Sequence, residues 1–422
     1  MKDFLAKNYL LDEFYALDTI SADFLSEMEK GLIDEKTSSL LMLPSFALVD
    51  SDIKLNKKIA VIDAGGTNIR LGCVWFDENG KYNIEGFKKQ AMLGTDWTLT
   101  KDEFFSNLAY LVLPYLDKTD LISISFAYPT TITKDMDGKI IKLVKELKIT
   151  GVDGCLIGEE LIKYLKKAGK ENVKVMVTND TTATAFAGKA QTINEDYNSH
   201  IGVIVGTGMN TCYPETFSSI PKLPEFLGEK RMMINVESGN FDKLLRSPVD
   251  KAYDKSTTDE GYHVLEKMVS GGYIGGLCDA YLKTASDNNL FSEKTVKNIK
   301  GLSLSSMDIS DFLSSSDDSI IKDAADTCND YDNIKLLLEK IVRRAANLAA
   351  LQIYSLSLKC AKPGDKLCIT VEGTTFYKLP KMQQQTEEFL NLYMPKANLS
   401  YKILEVNDAV MKGCAAIGLQ QI

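Results

Sequence analysis

Apolar positions recur every three to four residues over 21–32, where Phe24, Leu25, Met28 and Leu32 share one face. With Ser21 as a cap and Gly31 near the end, that spacing predicts a helix. LMLPSF (41–46) is an apolar segment interrupted by Pro44. After a polar stretch at 50–58 the period changes to that of strands. IAVID (59–63), LGCVWF (71–76) and a more polar segment at 82–87 are separated by GG and ENG turns, which predicts a β-meander. Thr100 and Glu103 form a capping box ahead of a helix carrying Phe104, Phe105, Leu108, Leu111, Val112 and Tyr115. Strands are expected at 121–127, 173–177, 201–205, 367–371 and 401–405, and helices at 157–169, near 263–285, near 333–358 and from Asp408. Strands alternating with helices on this scale mean an α/β protein. The Ser/Asp-rich run at 303–319 is expected to be loop and capping residues.

Composition narrows the class. With 422 residues, roughly 150 per domain gives between two and three domains. Hydrophobic residues are 45% and charged residues 25%, the mixture of a globular chain with enough apolar material for two cores. The net charge of −9 argues against nucleic acid or an anionic membrane as partner. No uncharged apolar run approaches the roughly 18 residues of a membrane helix. The 8 cysteines show no CxxC pair, so reduced thiols and a cytoplasmic location are expected. His200 and His263 are the only histidines, and no GxSxG elbow occurs. Together these exclude HExxH metal sites and leave a Ser-His-Asp hydrolase nearly excluded.

Two segments align without gaps. IAVIDAGGTN (59–68) and IGVIVGTGMN (201–210) are identical at five of ten positions. Each is an apolar strand entering a Gly-rich turn. Either turn alone would be an ordinary hairpin tip; the shared register points to duplication, with two similar domains each giving one strand–turn unit to a common cleft. Glycines let backbone amides wrap an anion, and Thr67, Asn68, Thr207 and Asn210 add side-chain donors. Arg70 suits phosphate oxygens or an orienting carboxylate. Walker A and GxGxxG motifs are absent. Asp63, at its strand end, is poorly placed to touch phosphate but could hold Mg²⁺ through water. In VTNDTTATAFAG (177–188) a strand ends and Asn-Asp-Thr-Thr starts a helix. Those residues can act as an N-cap. Asp180, between two phosphate turns, is also where a general base belongs.

These motifs, in this order, resemble the eukaryotic-type hexokinase/glucokinase family within the actin–Hsp70–sugar kinase superfamily. DAGGTNIR (63–70) resembles its first phosphate loop, TNDTTAT (178–184) its catalytic Asn-Asp-Thr, and GTGMNTCYPE (206–215) its second phosphate loop. INVESGNFD (234–242), LEKMVSGGYIGGL (265–277) and VEGTTFYKLP (371–380) resemble its sugar and adenosine segments. The resemblance implies two ribonuclease-H-like (actin-like ATPase) α/β domains, mixed sheets flanked by helices, with a cleft between them. The small domain would be 57–177 plus 405–422 and the large one 1–56 plus 178–404. It implies transfer of the ATP γ-phosphoryl, with Mg²⁺, to the 6-hydroxyl of a hexose such as glucose.

By that resemblance Asp180 would be the base and Lys145 would sit near sugar and phosphoryl. Asn179, Asn210, Glu237 and Glu266 would hold the sugar, joined by Lys145. Gly65, Gly66, Thr67, Asn68 and Arg70 would line one side of the ATP phosphates, with Asp63 beside them toward the nucleotide's metal, and Gly206, Thr207 and Gly208 the other. Gly373 and Thr374 would lie near adenosine, and no residue would ligate the metal directly. The chain departs from the family at Ala127, Leu143, Val144 and Ser238, and at AVMKGCAA (409–416). Ala127 and Val144 remove hydroxyls that would contact the sugar, each worth about 0.5–1.5 kcal/mol. A silent sugar sensor and a sugar-independent actin- or Hsp70-like ATPase remain the alternatives.

Overall fold

A computed structural model of the chain describes residues 1–141 and 147–421. Two sheets organise it. In the five-stranded sheet, Ile59–Ala64 runs antiparallel to Asn68–Phe76, which pairs with Tyr82–Ala91; on its other side lie the parallel strands Leu121–Phe126 and Lys174–Thr178. In the six-stranded sheet, Ser199–Val205 runs antiparallel to Met209–Thr216, which pairs with Arg231–Asn235, and on its other side lie parallel Lys366–Glu372 and Ser400–Leu404. The two sheets therefore repeat one strand order and one pattern of directions, as two ribonuclease-H-like units require. The larger sheet adds Leu43–Leu48 as an outer strand. Pro44, which reads as a break in the sequence, sits on that edge, where a missing N–H does no harm. Every residue of Ile59–Ala64 and Leu121–Phe126 is buried, including the polar Asp63, Ser123 and Ser125 that interrupt their apolar character.

The helices cross between the sheets. Asp180–Gln191, which follows the last strand of the smaller sheet, packs on Ser199–Val205 and Lys366–Glu372 of the larger one. Ala409–Gln420, which follows the last strand of the larger sheet, packs on Ile59–Ala64 and Leu121–Phe126. The two helices also pack on each other, and so closely that a Cβ on Gly413 would lie 1.7 Å from the Ala183 carbonyl oxygen. No larger residue fits that crossing.

Four sequence expectations shift. Ser21 is not a cap: the helix spans Leu17–Ile33, and the buried Ser21 hydroxyl bonds the Asp18 carbonyl within it. The run at 303–319 contains a helix, Ser306–Leu313, with Ser305 closing a capping box through Asp308. The helix expected near 333–358 is longer, Cys328–Cys360, and begins at the Thr327 cap. The helix expected near 263–285 is two, Val264–Val269 and Gly271–Asp287, broken at the extended Ser270. The break has a reason: the amides of Gly271 and Gly272 leave the helical ladder and donate to the carbonyls of Gly206 and Thr207.

Among the described residues no helix is long and apolar enough to cross a membrane.

Candidate active site

The Thr178–Asn179–Asp180 junction places the end of one strand against the start of one helix. Asn179 is the N-cap, its Oδ1 accepting from the Thr181 amide at 2.8 Å. Asp180 Oδ1 accepts from the same amide at 2.7 Å and from the Thr181 hydroxyl at 3.2 Å. The cap and the candidate base are thus one structure. Burial drives the Asp180 carboxyl above its ordinary range, while its bonds to Thr181 and Asn179 act against that.

Asn179 and Asp180 open onto a cavity of about 480 Å³ that Gly208, Asn210, Glu237 and Glu266 also line. Its polar wall is pre-organised. Asn210 Nδ2 donates to Asn235 Oδ1 at 2.8 Å and to Glu237 Oε1 at 3.1 Å, and Asn235 Nδ2 donates to the same Glu237 oxygen at 2.7 Å. Glu266 Oε2 accepts from the Met209 amide at 2.7 Å. Burial raises the pKa of both glutamates, and the negative charges of Asp180 and Glu266 add to the effect at Glu237. A wall of carboxylates and amides with fixed orientations, facing an apolar side that includes Phe126, Pro129 and Ile204, suits a ring of hydroxyls.

The residues of the two Gly-rich turns form a second group; Gly208 lines the cavity, and the others lie outside its lining. Asp63 is 4% exposed and takes a 2.8 Å ion pair from Arg70 Nη1. Burial lifts Asp63 to about 6; Arg70 opposes this, and the charges of Asp180 and Asp408 add to it. Arg70 is thus engaged with a carboxylate. The Thr67 hydroxyl accepts from Asn68 Nδ2 at 2.8 Å, and the Tyr128 hydroxyl holds the carbonyls of Gly65 and Gly66 at 3.1 and 3.0 Å. On the other side the Gly206 carbonyl accepts from the Thr375 hydroxyl, also at 2.8 Å. Gly373, at φ 124°, abuts Val205 so tightly that a Cβ would lie 2.2 Å from its carbonyl oxygen, while Thr374 is exposed. Lys145, with Leu143 and Val144, lies outside the described residues.

The sequence repeat holds on the strands and slips at the turns. Ala64 pairs with Ile69 across residues 65–68, whereas Val205 pairs with Met209 across 206–208. The first tip is one residue longer.

Residues 6–190 match one family model described as Hexokinase, and residues 200–420 match a second with the same description. Glucokinase-1 of Kluyveromyces lactis is 31% identical over 391 residues, covering 80% of this chain and 79% of that protein. The chain belongs to the hexokinase family. Hexokinase-1 of Schizosaccharomyces pombe is 27% identical over 398 residues, covering 87% of this chain and 80% of that one. The fold is that of the Schistosoma mansoni hexokinase solved with glucose, with a TM-score of 0.79 at 24% identity over 99% of this chain and 98% of that one.

Three residues of the site are absent from the hexokinase candidate set, although Asn235 lies within INVESGNFD (234–242) and Glu372 within VEGTTFYKLP (371–380). Asn235 couples Asn210 to Glu237, and its place two residues before Glu237 on one strand end was the available signal. His263 lines the cavity, and Asp259 four residues earlier, 2.7 Å from its Nδ1, was the available signal. Glu372 sits beside Gly373, and burial, with the charges of Asp180 and Asp63, lifts it to about 7 against the pull of Arg70 and Thr184. At the family's departures, Ala127 is exposed at the cavity wall, and Ser238 is buried with its hydroxyl unpartnered among the described residues.

Proposed function

We infer that this chain transfers the γ-phosphoryl of ATP to the 6-hydroxyl of a hexose, with glucose the first candidate. The observation that carries the assignment is the double membership of Asp180. It faces the polar cavity and is an electrostatic neighbour of Asp63 and Glu372 beside the two Gly-rich turns. In the proposed step the sugar oxygen bonds to the γ-phosphorus while the bond from that phosphorus to the β–γ bridging oxygen breaks. ADP leaves, and the hydroxyl proton passes to Asp180. Burial suits Asp180 to this role because it makes the carboxylate a stronger base. Most of the acceleration comes from holding the two substrates in line in a dry cleft, and proton transfer supplies a smaller part, about 10²–10⁴-fold.

Asn179, Asn210, Glu237 and Glu266 would hold the sugar, with Lys145 near the transferred group. Gly65, Gly66, Thr67, Asn68 and Arg70 would flank the phosphates on one side and Gly206, Thr207 and Gly208 on the other, with Gly373 and Thr374 toward adenosine. Magnesium would arrive on ATP and neutralise phosphate charge; the buried carboxyl of Asp63 fits a water-mediated contact to it better than a direct one. The division into a small unit, 57–177 plus 405–422, and a large unit, 1–56 plus 178–404, is proposed on the same basis. Eight unpaired cysteines support a reducing, cytoplasmic setting.

The test is coupled ADP release across glucose, mannose, fructose, glucosamine and N-acetylated sugars. Sugar-dependent release is expected. Release at the same rate without sugar would favour an ATPase, and sugar binding without release a sensor.

A further inference from the structure

A turn that binds an anion through its backbone has to present amide hydrogens and turn its carbonyl oxygens away. The glycines at 65 and 66 do not settle that orientation. A peptide unit between two glycines meets no Cβ on either side, so it rotates at little cost. A rotated unit would put a carbonyl oxygen where a phosphate has to lie. In the other Gly-rich turn, backbone prevents this: the Gly206 and Thr207 carbonyls accept from the Gly271 and Gly272 amides. Among the described residues no backbone amide does the same for the Gly65 or Gly66 carbonyl.

The Tyr128 hydroxyl stands in that place. It lies 3.1 Å from the Gly65 carbonyl oxygen and 3.0 Å from that of Gly66, and its hydrogen is shared between them. Two peptide planes are thus fixed from one point. In a planar trans unit the N–H points opposite to the C=O. With both oxygens held against Tyr128, the Gly66 and Thr67 amides face the other way. Among the described residues neither amide has a hydrogen-bond partner, and both residues are exposed. Two consecutive amides of this kind make a concave donor site for an oxyanion.

The ring is fixed as well. Tyr128 is 5% exposed, and its ring centroid lies 5.2 Å from that of Phe126. The neighbouring Ala127 amide donates to the Ala64 carbonyl at 3.1 Å, at the end of the strand that enters the turn. Tyr128 also lines the cavity, beside Ala127 and Pro129. One side chain therefore belongs to the cavity wall and holds the first Gly-rich turn.

On the phosphotransfer assignment, we propose that Tyr128 is a positioning residue: its hydroxyl holds the Gly65 and Gly66 carbonyls on the cavity wall and so aims the Gly66 and Thr67 amides at the ATP phosphates. Anchored this way, the turn takes its position from the cavity, which places the phosphates relative to the sugar.

The test uses the full chain and Tyr128→Phe, which removes the hydroxyl and keeps the ring against Phe126. With Mg²⁺ and saturating glucose, the KM for ATP should rise about 3–10-fold, as loss of one hydrogen bond predicts, and kcat should fall by less. Calorimetry without nucleotide should give a glucose Kd within about twofold of wild type. The inhibition constant of adenosine, which carries no phosphate, should also stay within about twofold. Hydrogen exchange on the wild-type chain adds a readout that needs no substitution: ATP should slow exchange of the Gly66 and Thr67 amides about tenfold or more. In Tyr128→Phe that protection should shrink. An unchanged KM for ATP would overturn the proposal. So would an equal weakening of adenosine, a larger loss for glucose than for ATP, or no protection of Gly66 and Thr67 by ATP. A wild-type chain that bound ATP and phosphorylated no hexose would sink the phosphotransfer assignment instead, and hydrogen exchange would still decide on Tyr128.

Discussion

The two Gly-rich turns descend from one pattern and are built differently. The turn at 206–208 is part of the wall. Its carbonyls are taken by the Gly271 and Gly272 amides and the Thr375 hydroxyl, and Gly208 backs onto Glu266. The turn at 65–68 stands clear. Tyr128 holds two of its carbonyls, Gly65 bonds across to Asn68, and a Cβ on Gly66 would meet nothing within 4 Å. Charge divides the other way. The free-standing turn carries the ion pair of buried Asp63 with the partly exposed Arg70, whereas Val205 aligns with Asp63 in the fixed turn. One tip is thus a fixed part of the wall, and the other stands clear and carries the charge.

The largest expected effect lies at Asp180, whose charge is felt by both Asp63 and Glu372. Asp180→Asn should lower kcat by about 10²–10⁴-fold with little change in the KM for sugar. A loss of under tenfold, measured by ADP release, would mean that the turns position substrate without help from this carboxylate. The contrast between wall and free tip is tested by a pair. In Gly272→Ala the new Cβ would lie 2.7 Å from the Thr207 carbonyl oxygen, a backbone atom with little room to yield. A cost of about 1–3 kcal/mol in chemical denaturation is expected, with a raised KM for ATP. Gly66→Ala should leave stability within about 0.5 kcal/mol. Equal costs would erase the distinction.

The smallest effect concerns charge. Glu372 has an ordinary pKa of 4.5 and is lifted to about 7 in the folded chain. The folded state therefore holds this proton more tightly than the unfolded one. The resulting stability is present below about pH 4.5 and is lost as pH rises toward 7. Glu372→Gln should flatten that part of the pH–stability curve and add about 1–3 kcal/mol above pH 7, read by denaturant midpoints. No gain would mean that the charges beside the free turn are better solvated than their burial implies.

Much of this was legible in the residues. Strand periods, the Thr100–Glu103 capping box and the Asn-Asp-Thr junction depend on neighbours a few positions apart, and the chain writes such neighbours side by side. The register difference at the turns, where Ile62 pairs with Leu71 but its counterpart Ile204 pairs with Asn210, was not legible, because pairing register is set by both strands and an ungapped alignment compares only one at a time. Nor was the break at Ser270, which exists because turn carbonyls more than sixty residues earlier capture the next two amides.

By itself the sequence determined the α/β alternation, the doubled strand–turn unit, the hexokinase motifs and the identity of the carboxylate at the helix start. These are local chemistry and local period. Only the tertiary structure decided that Arg70 faces Asp63, that Asn235 braces Glu237, that His263 borders the cavity and that Glu372 feels Asp63 and Asp180. Those outcomes turn on burial and on charges brought together from distant parts of the chain, and dielectric and distance take their values only once the two sheets and the crossing helices are in place.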